Sequence, residues 1–295
     1  MSNFNDVCEI MGDRSLEKTI LVLITLSIVG GILKVYGSIV GGSKSVFVDA
    51  MTSIANTLAI ILILKFFRAG MEPPDTDHHY GHHRLALGGP ISMLMLYSFV
   101  AGIIILDIVS SIGKSYEVSY KSPLYASIAM IPYGLSVAIA KRSHSIVSSY
   151  GGFTVIELIE SLVSIASSLG GIMVNYVIDF VGAIALMAYL LFELTENFRE
   201  IVEAVSDVAP KEVINKIQEI AKNHEVEISR VRVRRIIEKI YHGDVIVEVN
   251  PSIPLEKAHE IADSIEKELK KQGMDVIVHV EPSNNSKKRN ELSSS

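Results

Sequence analysis

Six apolar stretches lie between Leu16 and Glu196, each close to the about 20 residues that cross a hydrocarbon core of roughly 30 Å. In lipid every backbone N–H and C=O must find its partner within the segment, so such a series folds as a bundle of spanning helices. With 49% hydrophobic residues in 295 positions, the chain also has room for one small soluble domain, and its composition turns charged and periodic after Val202. The expected divisions are an N-terminal tail at 1–15, a six-helix transmembrane domain at 16–202, a soluble domain at 203–283 and a tail at 284–295. That last segment has almost nothing apolar to bury and is expected to be disordered.

The second stretch, SKSVFVDAMTSIANTLAIILILKFF, carries Asp49, Thr52, Ser53 and Asn56 at i, i+3, i+4 and i+7, which places them on one helix face. The fifth, FTVIELIESLVSIASSLGGIMV, repeats the spacing with Glu157, Glu160, Ser161 and Ser164. A polar or ionisable side chain in hydrocarbon costs on the order of 2.5–3.5 kcal/mol, so such stripes face a bundle interior or a wet cavity. Two of them facing each other can build a cation site from carboxylates, hydroxyls and an amide. Hydroxyls and amides on membrane helices also serve simply to hold helices together, but two glutamates in one span must be protonated, paired or metal-bound. Glycines and serines in the first stretch allow close packing, and Lys34 near its outer half is expected to snorkel. Asp107 and Asp179 lie nearer stretch ends and are expected to reach the interface. Pro90 stands near the start of the third stretch, where a kink is tolerated.

Between the second and third stretches stands DTDHHYGHHR. Asp75, Asp77, His78, His79, His82 and His83 mix imidazole and carboxylate, a combination suited to zinc, iron, cobalt or nickel. His78 and His82, at i and i+4, can share a helical face.

The soluble segment reads as helix, strand, strand, helix, strand. PKEVINKIQEIAKNHE is an amphipathic helix with Pro210 near its first turn, VEISRVRVRRII and DVIVEVNP alternate as strands, PLEKAHEIADSIEKELKKQG is a second helix, and MDVIVHVEP is the last strand. The expected α+β unit is a small sheet with two helices on one face and the other face open to a second copy or a site. His259, His279 and Glu281 fall on its second helix and last strand, where each alone reads as a surface residue.

Basic residues set the orientation. Arg14, Lys18, Lys65, Arg68, Arg84, Lys141, Arg142 and Arg199 fall on one side of the bundle, against Lys44, Lys114 and Lys121 on the other. Both termini and the histidine loop are therefore expected in the cytoplasm, in a multi-pass protein of the cell membrane. The first 18 residues lack the basic-then-apolar order of a cleaved signal, so the first stretch is expected to be retained. The lone Cys8 supports neither a disulfide nor a thiolate metal site, and a net charge of −6 with scattered basic residues argues against nucleic acid as a partner.

Taken together, SKSVFVDA, HHYGHHR, PLEKAHEIAD and VIVHVEP make the chain resemble the cation diffusion facilitators, proton-coupled exporters of divalent metals. The resemblance covers nearly the whole chain. It implies a homodimer in the bilayer, a ferredoxin-like cytoplasmic domain, and divalent cations and protons as transported species. No enzymatic activity is implied. The transport ligands it implies are Asp49 and Ser53 on the second helix and Glu157 and Ser161 on the fifth, with Thr52, Asn56 and Glu160 beside them. Where the family's zinc exporters place four His or Asp ligands, this chain has two carboxylates and two hydroxyls, an oxygen shell that suits manganese or magnesium better than zinc. The metal is thus zinc, manganese or iron, with its identity open. Asp75, His78 and His82 match the family's loop metal site. His259, His279 and Glu281 match members of its cytoplasmic metal site, where Ile246 replaces another expected histidine. Arg84 and Asp207 resemble a charged pair that interlocks the membrane dimer, and Ala86 stands where an acidic residue often follows the loop motif.

Two alternatives remain. One is a chain with weakened or lost transport that acts as a metal sensor or scaffold. The other is a membrane di-iron enzyme, because His79, His82 and His83 spell H-x-x-H-H; such a centre needs several more histidines, and only His144 is near.

Overall fold

The computed structural model describes residues 14–79, 81–142, 145–206, 208–237 and 240–283; Cys8, His144, Asp207 and the tail at 284–295 lie outside them. Contacts divide the chain between Ile201 and Val202 into a helical unit and a C-terminal unit.

The helical unit holds α1 (Arg14–Gly41), α2 (Lys44–Gly70), a 3-10 turn (His83–Leu87), α3 (Gly88–Ser111), α4 (Lys121–Lys141), α5 (Ser145–Met173) and α6 (Tyr176–Val205). Among the described residues six helices are long and apolar enough to cross a membrane. Their large exposed side chains include Leu21, Ile32, Ile39, Met95, Phe99, Leu106 and Phe192, as lipid-facing surfaces require. The chain leaves α1 through Gly42 at φ +70 and enters α2 under a Ser43 cap, whose hydroxyl accepts from the Val46 N–H at 3.1 Å. Helix α2 is the hub. It packs against α1, α3 and α5, while α1 and α5 both pack on α4. Val48 and Ala55 of α2 share an apolar core with Tyr97, Val100, Ala101, Ile104 and Ile108 of α3 and with Ala183, Leu186 and Leu190 of α6. Pro90 sits in the first turn of α3, where its missing N–H leaves no helical hydrogen bond unmade.

Gly30 of α1 shows why that helix lies so close to α4. A Cβ there would stand 2.6 Å from Cε2 of Tyr133, a residue with 0% exposure. Its absence lets the phenol ring slide beneath the next turn of α1.

The C-terminal unit holds α7 (Lys211–Asn223), β1 (Glu227–Ile237), β2 (Ile240–Val249), α8 (Leu255–Lys270) and β3 (Met274–Pro282). Strand order is β1-β2-β3, with β1 antiparallel to β2 and β2 parallel to β3, the crossover being α8. Val245, Val247 and Val249 of β2 and Met274, Val276 and Val278 of β3 alternate onto the helix side. There they meet Val213, Ile217 and Ile220 of α7 and Ala258, Ala262, Ile265 and Leu269 of α8, at the spacing of one helix face. The Glu266 carboxylate fixes α8 to β3 by accepting the Val278 N–H at 2.7 Å. The opposite sheet face carries rows such as Arg230–Ile246–His279 and Glu227–Glu248–Glu281. This is the α-β-β-α-β unit read from the sequence.

Candidate functional site

Helix α2 presents its polar stripe to α5 with almost no solvent access. Asp49, Ser53, Ser161 and Ser164 are 0% exposed, and Thr52, Glu157 and Glu160 are at most 6% exposed. Three hydrogen bonds tie the stripes together. The Ser164 hydroxyl donates to Asp49 Oδ2 at 2.8 Å, the Thr52 hydroxyl to Glu160 Oε2 at 3.2 Å, and Asn56 Nδ2 to Glu157 Oε1 at 2.9 Å. Tyr97 of α3 donates in turn to Asn56 Oδ1. Ser161 bonds its own helix instead, donating to the Glu157 carbonyl at 2.8 Å.

The stripe has a further occupant. Lys34 of α1, itself 0% exposed, donates to Asp49 Oδ1 and to Ser53 Oγ, both at 2.8 Å. Its Nζ lies 4.5 Å from the centroid of the Tyr133 ring. Snorkelling is therefore the wrong reading of Lys34. An ammonium buried in the bundle needs partners to offset its desolvation, and they lie one helix away on α2. Asp49 thus has one oxygen filled by Lys34 and the other by Ser164. Asp49, Glu157 and Glu160 do not form a set of carboxylates with ligand atoms mutually within 4.8 Å.

Asp179 also corrects its sequence reading. It is 0% exposed and accepts from the hydroxyls of Ser43 at 2.6 Å, Ser45 at 2.5 Å and Tyr116 at 3.0 Å, and from the Lys44 N–H at 2.7 Å. It ties the start of α2 to α6 and to the segment before α4. Asp107, paired with Lys44 at 2.7 Å and 27% exposed, stays nearer the surface.

The loop between α2 and the 3-10 turn is built differently. Asp75, His78 and His82 offer ligand atoms within 4.8 Å of one another, the only such set among the described residues. The two histidines come together through a turn at Gly81, φ +77, and not through a shared helix face. Asp75 Oδ1 accepts the N–H groups of His78 at 2.6 Å and Asp77 at 2.9 Å, which hold the carboxyl below the usual carboxylate range. His82 Nδ1 donates to the Pro73 carbonyl at 3.2 Å, which leaves Nε2 as the ligand atom, 3.4 Å from Asp75 Oδ2. His78 Nδ1 lies 3.2 Å from Asp75 Oδ1, and the two imidazole centroids are 4.1 Å apart. His79 and His83 turn ring nitrogens to the carbonyls of Thr76 and Gly70, both at 3.0 Å, so the H-x-x-H-H residues do not converge on one centre.

His259, His279 and Glu281 are not gathered into one site within a single chain. His259 is 76% exposed beside Asp263, and His279 and Glu281 lie on the open face of β3. Arg84 stands in the 3-10 turn. Sequence reasoning missed Lys34 and Tyr97 as members of the membrane cluster. The signal for Lys34 was available, since a lysine deep in an apolar stretch requires an acid on a facing helix.

A bundle of apolar helices around a buried ionisable cluster, with a histidine and carboxylate loop at its edge, defines the class: a multi-pass integral membrane protein that handles cations. The family is specific. The transmembrane domain of the cation efflux proteins matches residues 20–205 and their cytoplasmic domain matches residues 209–283, so the chain belongs to the cation diffusion facilitators, a family of metal-efflux transporters and not of enzymes. The manganese efflux system protein MneP of Bacillus subtilis is 27% identical over 274 residues, covering 84% of this chain and 90% of that protein. MneS of the same organism, also a manganese efflux system protein, is 23% identical over 90% of this chain and 95% of its own. The cation-efflux pump FieF of Pectobacterium atrosepticum is 23% identical over 85% and 87%.

Proposed function

We propose that this protein is a homodimeric divalent-cation/proton antiporter that exports metal from the cytoplasm of the cell by alternating access. The observation that carries the reading is the sealed contact of α2 with α5. Asp49, Ser53, Glu157 and Ser161, with Thr52, Asn56 and Glu160 beside them, line one buried contact between two spans. Oxygen ligands of this kind favour a hard cation, and two of the relatives above are manganese efflux proteins, so manganese is the substrate of choice. Metal held inward-facing by Asp49 and Glu157 leaves outward as protons take its place. Asp75, His78 and His82 bind a second ion and bias the conformational equilibrium through differential affinity. His259, His279 and Glu281 take part in a metal site completed between two C-terminal domains, and the termini face the cytoplasm.

The test is manganese flux into proteoliposomes under a pH gradient. The wild-type protein transports, and Glu157→Ala reduces the rate by about tenfold or more, on the order of what loss of a single charged ligand costs. Equal flux through Glu157→Ala would overturn this site. One observation favours a second reading, a sensor that binds metal without moving it: Lys34 already closes on Asp49. Metal binding at the loop with no flux in the wild type decides for it.

A further inference from the structure

We propose that Lys34 is a tethered cation standing in the metal position of the membrane site, so that a divalent ion gains Asp49 and Ser53 only by displacing its ammonium. The inference rests on the reading of the α2–α5 contact as the transport site.

The surroundings of Nζ are those of a coordinated cation. Asp49 Oδ1 and Ser53 Oγ lie at 2.8 Å, the face of Tyr133 lies at 4.5 Å, and no part of Lys34 reaches solvent. The ammonium carries three donors, each of which needs an acceptor when buried. It uses a carboxylate and a hydroxyl four residues apart, the same pair of atoms a metal would need from α2. The remaining oxygen of Asp49 is held by Ser164, so this carboxylate offers nothing to an incoming ion while Lys34 is in place. Glu157 and Glu160 accept from the neutral donors Asn56 and Thr52, and each becomes a charged ligand for an incoming divalent ion by giving up a proton.

Charge then sets selectivity. A tethered ammonium acts at high effective concentration, so a monovalent ion from solution has no electrostatic advantage over it. A divalent ion has twice the charge for the same oxygens, and Lys34, on a flexible stem of four methylenes, can swing aside at the cost of its own contacts. Lys34 is thus a specificity-determining residue: it makes the site weak for divalent ions and closed to monovalent ones.

The test is manganese binding to the full-length protein in lipid nanodiscs, with Asp75→Ala in every arm to silence the loop. Lys34→Gln keeps two donors for Asp49 and Ser53 but removes the charge. Its manganese affinity is expected to rise by about tenfold or more, and sodium is expected to compete where it did not before. Lys34→Arg keeps the charge and grips Asp49 through a planar fork, so affinity is expected to fall. Adding Asp49→Asn to Lys34→Gln is expected to abolish the gain. Manganese binding unchanged in a folded Lys34→Gln protein overturns the proposal; if that variant does not fold, unchanged or tighter binding in Lys34→Arg overturns it. The outcomes separate the two readings. Flux indifferent to Glu157→Ala removes the transport site itself, whereas flux lost in Glu157→Ala with affinity unmoved by Lys34→Gln removes only the role given to Lys34.

Discussion

The loop and the membrane cluster are both built from carboxylates and nitrogen bases, and they treat charge in opposite ways. In the loop Asp75 and His78 are each half exposed, and ring and carboxylate acceptors point at one another with no cation of the protein's own between them. In the membrane every polar atom of Asp49 is filled by a side chain, and one of those side chains is an ammonium. Water explains the contrast. Where solvent can screen, a site can stand with its ligands ready; where it cannot, an ionised carboxylate needs a positive partner at all times.

The largest expected break in this comparison is in stability. Asp49→Ala leaves Lys34 charged and unpaired at 0% exposure, a change expected to cost about 3–5 kcal/mol. Asp75→Ala, at an exposed turn, is expected to cost under about 1 kcal/mol. Thermal unfolding in detergent should show a clear drop in midpoint for the first and little for the second; equal drops would erase the distinction. Metal affinity should sort the other way. His82→Ala is expected to weaken loop binding of zinc or manganese by at least about tenfold, as even loss of an outer hydrogen-bond partner can. His79→Ala, whose ring only meets the Thr76 carbonyl, is expected to change it less than about twofold.

The smallest effect is in pH. Because the N–H groups of His78 and Asp77 hold the folded Asp75 carboxyl below the usual carboxylate range, its contribution to the turn is present above the unfolded value of about 3.9 and is lost as pH falls through the lower folded value. The His78 amide is therefore expected to stay protected from hydrogen exchange at about pH 4, where an ordinary aspartate is half protonated. Loss of protection already at pH 5 would contradict the hydrogen bonds that define the turn.

Much of the fold could be read from residue pattern. The six apolar stretches and the alternation of Val245, Val247 and Val249 follow from local chemistry that repeats along the chain. The stripes on α2 and α5 were legible for the same reason, because 3.6-residue periodicity places side chains on a face. Which faces meet is a tertiary fact that periodicity does not carry. A lysine stem can reach the interface, which is where the pattern puts Lys34, yet Gly30 lets Tyr133 in beneath it and Asp49 stands across from it. The position of Asp179 near a stretch end points to the membrane interface, but three hydroxyls and two N–H groups from elsewhere in the chain converge on it. His78 and His82 were expected on one helix face and instead meet through a turn that depends on Gly81. Long-range partners of single charges leave no periodic trace.

What happens at Asp49 when metal arrives decides the role of the membrane cluster. The most direct measurement is anomalous scattering at the manganese edge from crystals of the wild-type protein grown in saturating manganese. One peak is expected among Asp75, His78 and His82, and a second at Asp49, with displacement of Lys34 Nζ well beyond hydrogen-bond reach of Oδ1. A manganese peak at Asp49 with Lys34 still 2.8 Å from Oδ1 would contradict that expectation.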